Sequence, residues 1–184
     1  MALFTALAVV LNGLTVPAPY AEFLLYGVWE IPVVLALLLL GFNGGIAVAA
    51  LNGLALEFVN PGGIPTGPLY NLVAEVSMFS GILAANRLMV KRGLVAQAAG
   101  ATALGALVRV GVMTVVNGLF LAQPFPIGYG SFGITQAAVP GLLVLIAIFN
   151  VTVALYVVPS AYGIRNAIAM RSRTFGNSKE GSTG

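Results

Sequence analysis

Polar side chains that could bind a small solute are set into long apolar stretches of this sequence. The run NPGGIPTGPLYNLVAEVSM, residues 60–78, places Asn71 and Glu75 four positions apart, directly after a turn rich in Pro and Gly. Residues four apart lie on the same face of a helix. Asn117 and Asn150 occupy similar apolar stretches further along the chain. An amide can both donate and accept hydrogen bonds, so these residue types suit the binding of a polar small molecule.

The composition excludes several classes of enzyme chemistry. The sequence has no histidine and no cysteine, so it lacks the commonest general base, any thiol nucleophile and any zinc–thiolate site. Its five acidic residues are dispersed, which argues against a metal site. The chain is 59% hydrophobic and 7% charged, whereas a soluble domain has roughly 25% charged residues. We therefore predict an integral membrane protein in contact with lipid, with no cofactor and no nucleic-acid partner.

Clusters of Pro and Gly divide the chain into six apolar segments, each a candidate for a membrane-spanning helix. An amphipathic, aromatic stretch at 21–30 connects the first two segments. The prediction is an all-α bundle of six transmembrane helices over residues 1–170, followed by a polar, disordered cytoplasmic tail over 171–184. The predicted spans are residues 2–16, 31–41, 46–59, 69–89, 94–121 and 138–170.

Basic residues mark one side of the predicted bundle. The loops around 17–30, 60–68 and 123–133 contain no lysine or arginine. Because cytoplasmic loops carry the excess of positive charge, both termini are predicted to be cytoplasmic in a multi-pass protein of the cell membrane. The three uncharged loops, rich in Pro, Gly and aromatic residues, are then predicted to face outward. The basic residues on the other side are Arg87, Lys91, Arg92, Arg165, Arg171, Arg173 and Lys179.

Ionisable side chains within a span are costly, about 2.5–3.5 kcal/mol at mid-helix, so each one is a candidate for a functional site. Glu57, Glu75 and Arg109 are the three here. The outer halves of four segments carry Glu57, Glu75 and the asparagines at 71, 117 and 150, and this arrangement predicts a pocket open to the outside. Each amide could equally hold helices together. The partner of Arg109 is left open between Glu75, backbone carbonyls and a cytoplasmic cavity.

Five segments occur in an order that resembles a known family. They are ALFTALAVVLNGL, WEIPVVLALLLLGFNGGIAVAALNGL, IPTGPLYNLVAEVSMFSGIL, VMTVVNGLFLAQPF and IAIFNVTVALYVV. With six predicted spans, the chain resembles the substrate-binding S subunit of an energy-coupling factor (ECF) vitamin transporter. It is most similar to the riboflavin-specific branch, and the similarity covers about residues 2–168.

This resemblance implies a function in vitamin uptake. An S subunit captures a vitamin outside and docks on a membrane scaffold subunit, which is driven by two cytoplasmic ATPases. Ala2 and Ala6 in the first helix resemble the scaffold-docking face of the family. The chain has no GxxxxGK[ST] sequence, so it has no P-loop of its own. The implied substrate-binding residues are Asn71, Glu75, Asn117 and Asn150, with Tyr70, Glu57, Trp29, Tyr20 and Phe23.

One departure from the pattern leaves the ligand open. The riboflavin branch commonly has a lysine three residues after the sixth-helix asparagine, and Val153 stands there. Either another group such as Glu75 compensates, or the ligand is another vitamin, such as thiamine or biotin. A membrane enzyme acting on lipids would show clustered His, Asp or Glu, which this chain lacks. A purely structural protein would leave the gathering of acids and amides unexplained. The prediction is therefore a non-enzymatic vitamin-binding subunit with riboflavin as the favoured ligand.

Overall fold

The computed structural model of the protein describes residues 1–59 and 65–180, with side chains for 1–58 and 65–171. Part of the predicted outer loop 60–68 therefore lies outside the described residues. Within these ranges the chain forms five α-helices, one β-hairpin and one short 3-10 helix. The helices are α1 Ala2–Asn12, α2 Glu30–Val59, α3 Gly67–Leu88, α4 Leu94–Phe120 and α5 Val139–Glu180; the strands are β1 Thr15–Ala18 and β2 Ala21–Gly27; the 3-10 helix is Gly130–Phe132.

Most of the helical surface is suited to lipid. Four helical stretches, Glu30–Phe58, Gly67–Leu88, Leu94–Phe120 and Val139–Arg171, are long and apolar enough to cross a bilayer. Large apolar side chains point outward along them and along α1, and a soluble monomer rarely exposes so much apolar surface. The prediction of a mostly helical membrane protein is thus confirmed. The number of crossings and the side on which the termini lie stay predictions.

The first predicted span is shorter than expected. The helix ends at Asn12 rather than near residue 16, and at 11 residues α1 is too short to cross a bilayer, which takes about 20. The chain after Gly13 instead forms the β-hairpin, in which Thr15 pairs with Gly27 and Val16 with Tyr26. The all-α prediction is wrong here, because Thr, Val and aromatic residues around 15–27 favour an extended backbone over a helix.

The second and third predicted spans together form α2, which consists of two helical parts separated by a non-helical residue, Gly41. Gly41 has φ 79°, a backbone conformation that glycine adopts without a steric penalty. A Cβ on Gly45 would lie 3.0 Å from the Cβ of Leu37, although residues eight apart in a straight helix are separated by about 12 Å. The chain therefore folds back on itself at Gly41, directly before the segment FNGG where the turn is predicted.

Helices α3 and α4 approach closely through glycine. A Cβ on Gly81 would collide with the backbone of Leu104 and Gly105, so the two helices can pack at this distance only because Gly81 lacks a side chain. Met78 and Ile82 of α3 fill the space beside Gly105. Gly81 of α3 and Gly105 of α4 therefore allow this close packing within the chain.

The two ends of the bundle differ in charge. At one end, Tyr162 of α5 donates a hydrogen bond to Asn86 of α3, which brings the basic parts of both helices together. At the other end, Thr66 donates to the carbonyl of Ile127 at 3.0 Å, which joins the start of α3 to the loop 121–138. This second end carries the hairpin turn and no lysine or arginine. The basic end carries Arg87, Lys91, Arg92 and Arg165.

The last helix is longer than predicted. α5 begins at Val139, one residue after the predicted start at 138, and continues to Glu180, ten residues beyond the predicted end of the span at 170. The helix therefore covers most of the stretch predicted to be a polar tail. Residues 181–184 lie outside the described residues, and the division of the chain at residue 170 stays a prediction.

Candidate binding cavity

A cavity of about 300 Å³ lies towards the end of the bundle that carries no basic loops. This volume is at the lower limit of the range for small-molecule sites, about 300–1,000 Å³. All five helices contribute to its walls, together with the β-hairpin and the loop 121–138. The contributing parts are the end of α1, both ends of α2, the start of α3, the middle and end of α4, and the first third of α5. The cavity is therefore built from every helix rather than from one local segment.

A buried ion pair forms part of the cavity wall. The side chains of Arg109 and Glu30 are 3% and 6% exposed, and Nη1 and Nη2 of Arg109 each donate to one carboxylate oxygen of Glu30, the second at 2.9 Å. The third nitrogen, Nε, donates to Oδ1 of Asn150 at 2.7 Å. Such two-point pairing fixes the orientation of both planar groups. Glu30, at the start of α2, is thus tied to the middle of α4 and α5.

The ion pair settles which partner Arg109 takes. The sequence left Glu75, backbone carbonyls and a cytoplasmic cavity open, and the structure selects Glu30. Sequence reasoning missed Glu30 because it lies in the segment 21–30, which was predicted to connect two spans. The sequence signal that could have identified Glu30 was Arg109 itself, because a cation within an apolar span requires an acid nearby. Glu30 is the acid directly before the second predicted span.

Glu75 lies behind the cavity wall rather than on it. Glu75 is 1% exposed, its Oε1 has no hydrogen-bond partner among the described residues, and its neighbour Ala74 lines the cavity. It is repelled by Glu30 and attracted by Arg109, so the three side chains form one electrostatic cluster. Because Glu30 already neutralises Arg109, the cluster contains one acid more than it has cations.

Four asparagines contribute amides to the cavity, and three of them are held by internal hydrogen bonds. The Nδ2 of Asn12 donates to the carbonyl of Ala8 at 3.0 Å and to Asn52 at 2.9 Å. In Asn117 and Asn150, Nδ2 donates one bond to the carbonyl four residues earlier, at 2.8 Å in each case. The fourth, Asn71, is exposed at the cavity rim. Its amide is the one most accessible from solvent.

Aromatic rings cover the side of the cavity formed by the hairpin and the loop 121–138. Phe23 of β2 contacts Tyr129 with ring centroids 5.3 Å apart, and Tyr26 contacts Phe149 of α5 at 4.8 Å. Burial raises the pKa of Tyr129, so its hydroxyl is neutral at physiological pH and can donate as well as accept. Trp29 is 6% exposed and also lines the cavity.

The structure brings most of the predicted site residues together. Two of them lie elsewhere: Tyr20 is hydrogen-bonded to Tyr26 in the hairpin and does not line the cavity, and Glu75 is behind it. The cavity residues that sequence reasoning missed include Asn12 of α1, Glu30, Phe149 of α5 and residues of the hairpin and the loop 121–138. The predicted residues that line the cavity are Phe23, Trp29, Glu57, Tyr70, Asn71, Asn117 and Asn150.

The fold has a known relative. No protein-family profile and no curated protein matches the sequence. Among solved structures, the S component of a bacterial ECF transporter is similar over 91% of this chain and 92% of its own, with a TM-score of 0.71 and 22% identity. This chain has the S-component fold. That relative is a component of a transporter.

Within the S-component fold, the predicted docking residues are on the surface. Ala2 and Ala6 are exposed on α1, next to Leu3, which is 77% exposed. Ala8, on the other side of the helix, is fully buried against the bundle. The first helix therefore presents small side chains outward, where a membrane partner could approach them; their contact with a scaffold subunit stays a prediction.

Proposed function

We propose that the chain is the substrate-binding subunit of an ECF-type transporter and that its cavity captures a vitamin with a flat polar ring, riboflavin being the first candidate. The observation that carries this proposal is the cavity itself. On an S-component fold, amides from four helices and aromatic rings from the hairpin and the loop 121–138 converge on one hollow of about 300 Å³ at the uncharged end of the bundle.

The division of side chains within the cavity supports a ring-shaped ligand. Phe23, Trp29 and Tyr129 offer apolar faces with which a flat ring can stack. The amides of Asn71 and Asn117 can pair with a polar edge or a hydroxylated chain. A wrong ligand that leaves a buried amide unpaired loses roughly 1–3 kcal/mol, which is the source of specificity that we propose.

With valine at position 153, the described cavity wall has no cation with an unpaired charge. Val153 is 1% exposed and packs in the apolar core rather than on the cavity wall. The cation of the cavity is Arg109, which comes from α4 instead of α5. The expected compensation by Glu75 receives no support, because Glu75 does not line the cavity.

Uptake requires partners that this chain does not contain. We propose that α1, with Ala2 and Ala6 exposed, docks on an ECF scaffold subunit and that two ATPases bound to the scaffold drive delivery of the ligand inward. The support for this proposal is the S-component fold together with the exposed small residues of α1.

The direct test is to purify the protein in detergent without added ligand and to record its absorbance spectrum and the mass of any bound small molecule. A flavin spectrum would establish riboflavin as the ligand. A bound thiamine, biotin or other vitamin would keep the transport function and change the ligand. A bound lipid that the protein converts to a product would contradict the proposal and indicate an enzyme.

Asn71→Ala tests the cavity itself. We expect riboflavin binding, followed by quenching of flavin fluorescence, to weaken about tenfold, because one hydrogen bond worth roughly 1.4 kcal/mol is lost. The matched control is Asn166→Ala, which removes an amide from α5 near the basic end, away from the cavity. Equal quenching in both variants and in the unmodified protein would place the ligand elsewhere.

A further inference from the structure

We propose that the cavity discriminates by ligand charge: it accepts a neutral or cationic ligand and rejects one that carries a phosphate or carboxylate. This inference rests on the proposed binding function and narrows the class of ligand. It follows from three features of the described cavity residues, namely a guanidinium already paired with a carboxylate, an acid at the rim with no cation near it, and an amide that can only accept.

The first feature is that Arg109 is already paired with an acid. Its Nη1 and Nη2 each donate to Glu30, Nη1 also lies 3.7 Å from the sulfur of Met78, and Nε donates to Asn150, so four of its five N–H groups have partners among the described residues. Its charge is neutralised by the same carboxylate. A ligand phosphate or carboxylate would find an uncompensated positive charge there only by displacing Glu30, and breaking a buried pair is strongly unfavourable.

The second feature is the excess of acid over base around the cavity. Glu57 lines the cavity and is exposed to solvent, and among the described side chains the only ion pair is the one between Glu30 and Arg109. Residues 1–86 and 110–164 contain no lysine or arginine at all. The hairpin and the loop 121–138 therefore bring no cation to the rim, and an approaching anion meets only negative charge.

The third feature is the hydrogen-bonding capacity of Asn12. Both N–H groups of its amide are used, by the carbonyl of Ala8 and by Asn52, so only its oxygen remains for a ligand. The carboxylate of Glu57 likewise only accepts. These two cavity groups require N–H or O–H donors on the ligand, which phosphates and carboxylates do not supply at neutral pH.

The test uses pairs of ligands that differ in charge: riboflavin and flavin mononucleotide, thiamine and thiamine monophosphate, biotinamide and biotin. Binding is measured by titration calorimetry on the full chain in detergent at one ionic strength. In every pair for which binding is detected, we expect the anionic member to bind at least about 100-fold more weakly, since an unpaired buried charge costs roughly 3 kcal/mol. Comparable binding of the two members would overturn the charge rule and leave the proposed function intact. No binding by any member, together with no co-purified vitamin, would refute the proposed function and the inference with it.

A charge reversal at the rim tests the cause. We expect Glu57→Lys to reduce the discrimination between riboflavin and flavin mononucleotide about tenfold by placing a cation beside the ligand. Glu22→Lys is the matched control, because Glu22 is an exposed acid of the hairpin that does not line the cavity. It makes the same change in net charge and should leave the ratio unchanged. An equal effect of both variants would mean that overall charge, rather than the cavity, sets the preference, and this result would overturn the proposal.

Discussion

The ion pair between Glu30 and Arg109 leads to a quantitative prediction for stability. Glu30→Gln removes the charge that neutralises a guanidinium whose side chain is 3% exposed, while the hydrogen bond from Arg109 to Asn150 remains. Removing one partner of a buried pair costs roughly 3–5 kcal/mol because the other charge is left without compensation. We expect a free-energy cost near the lower limit of this range, because Glu75 also attracts Arg109 and can replace part of the lost electrostatic stabilisation.

For a chain of 184 residues, each kcal/mol shifts the unfolding midpoint by about 2–4 °C. The single substitution Glu30→Gln should therefore lower the midpoint by roughly 6–12 °C. Arg109→Met should lower it by as much or more, because it leaves Glu30 unpaired and removes the donor to Asn150. The double variant should be destabilised by at least 2 kcal/mol less than the sum of the two single variants, because neither charge then remains buried alone.

The assay is thermal unfolding in detergent, followed by circular dichroism and by tryptophan fluorescence. Trp29 is the only tryptophan in the sequence and directly precedes Glu30, so its fluorescence reports on the site itself. Coincidence of the two signals would show that the whole bundle unfolds together. Midpoint shifts below 2 °C for both single variants, or strict additivity in the double variant, would refute the argument that this pair joins the start of α2 to α4 and α5.

Three further predictions concern other parts of the bundle. Glu75→Gln should leave the unfolding midpoint unchanged or raise it, because it replaces a buried oxygen that has no partner among the described residues. In the Glu30→Gln background the same substitution should lower the midpoint, because Glu75 is then the remaining acid beside Arg109. A change of the same sign in both backgrounds would contradict the electrostatic coupling of Glu30, Glu75 and Arg109. Gly81→Ala should destabilise the protein by about 1–3 kcal/mol, because the new Cβ collides with α4. Gly111→Ala is the control and should stabilise the protein slightly, because no described atom lies within 4 Å of the new Cβ. Denaturant titration measures both effects. Ala6→Trp should reduce vitamin uptake in cells while leaving binding in detergent unchanged, and uptake at the normal rate would exclude α1 from docking.

Several elements could be predicted from the sequence because they depend on local composition. Long apolar runs between Pro and Gly clusters predicted α3 and α4 to within a few residues. The glycine-rich segment near residue 41 predicted the place where the chain reverses. The hairpin was missed because residues up to 16 were assigned to the first span and 21–30 to an amphipathic connection, and the pairing of the two strands across the turn is not visible in the sequence.

Only part of the candidate site could be predicted from the sequence. Amides and acids in apolar segments are costly, so their positions alone identified Asn71, Asn117 and Asn150 as candidates, and all three line the cavity. The sequence also determined that the chain is a membrane protein whose basic residues gather at one end, since composition and charge follow from residue types alone. Only the tertiary structure decided that Arg109 pairs with Glu30, that Glu75 lies behind the wall, and that the hairpin covers the cavity. These facts depend on contacts between residues far apart in the chain, and residue spacing does not determine which distant helices meet or which donor of a side chain is already used.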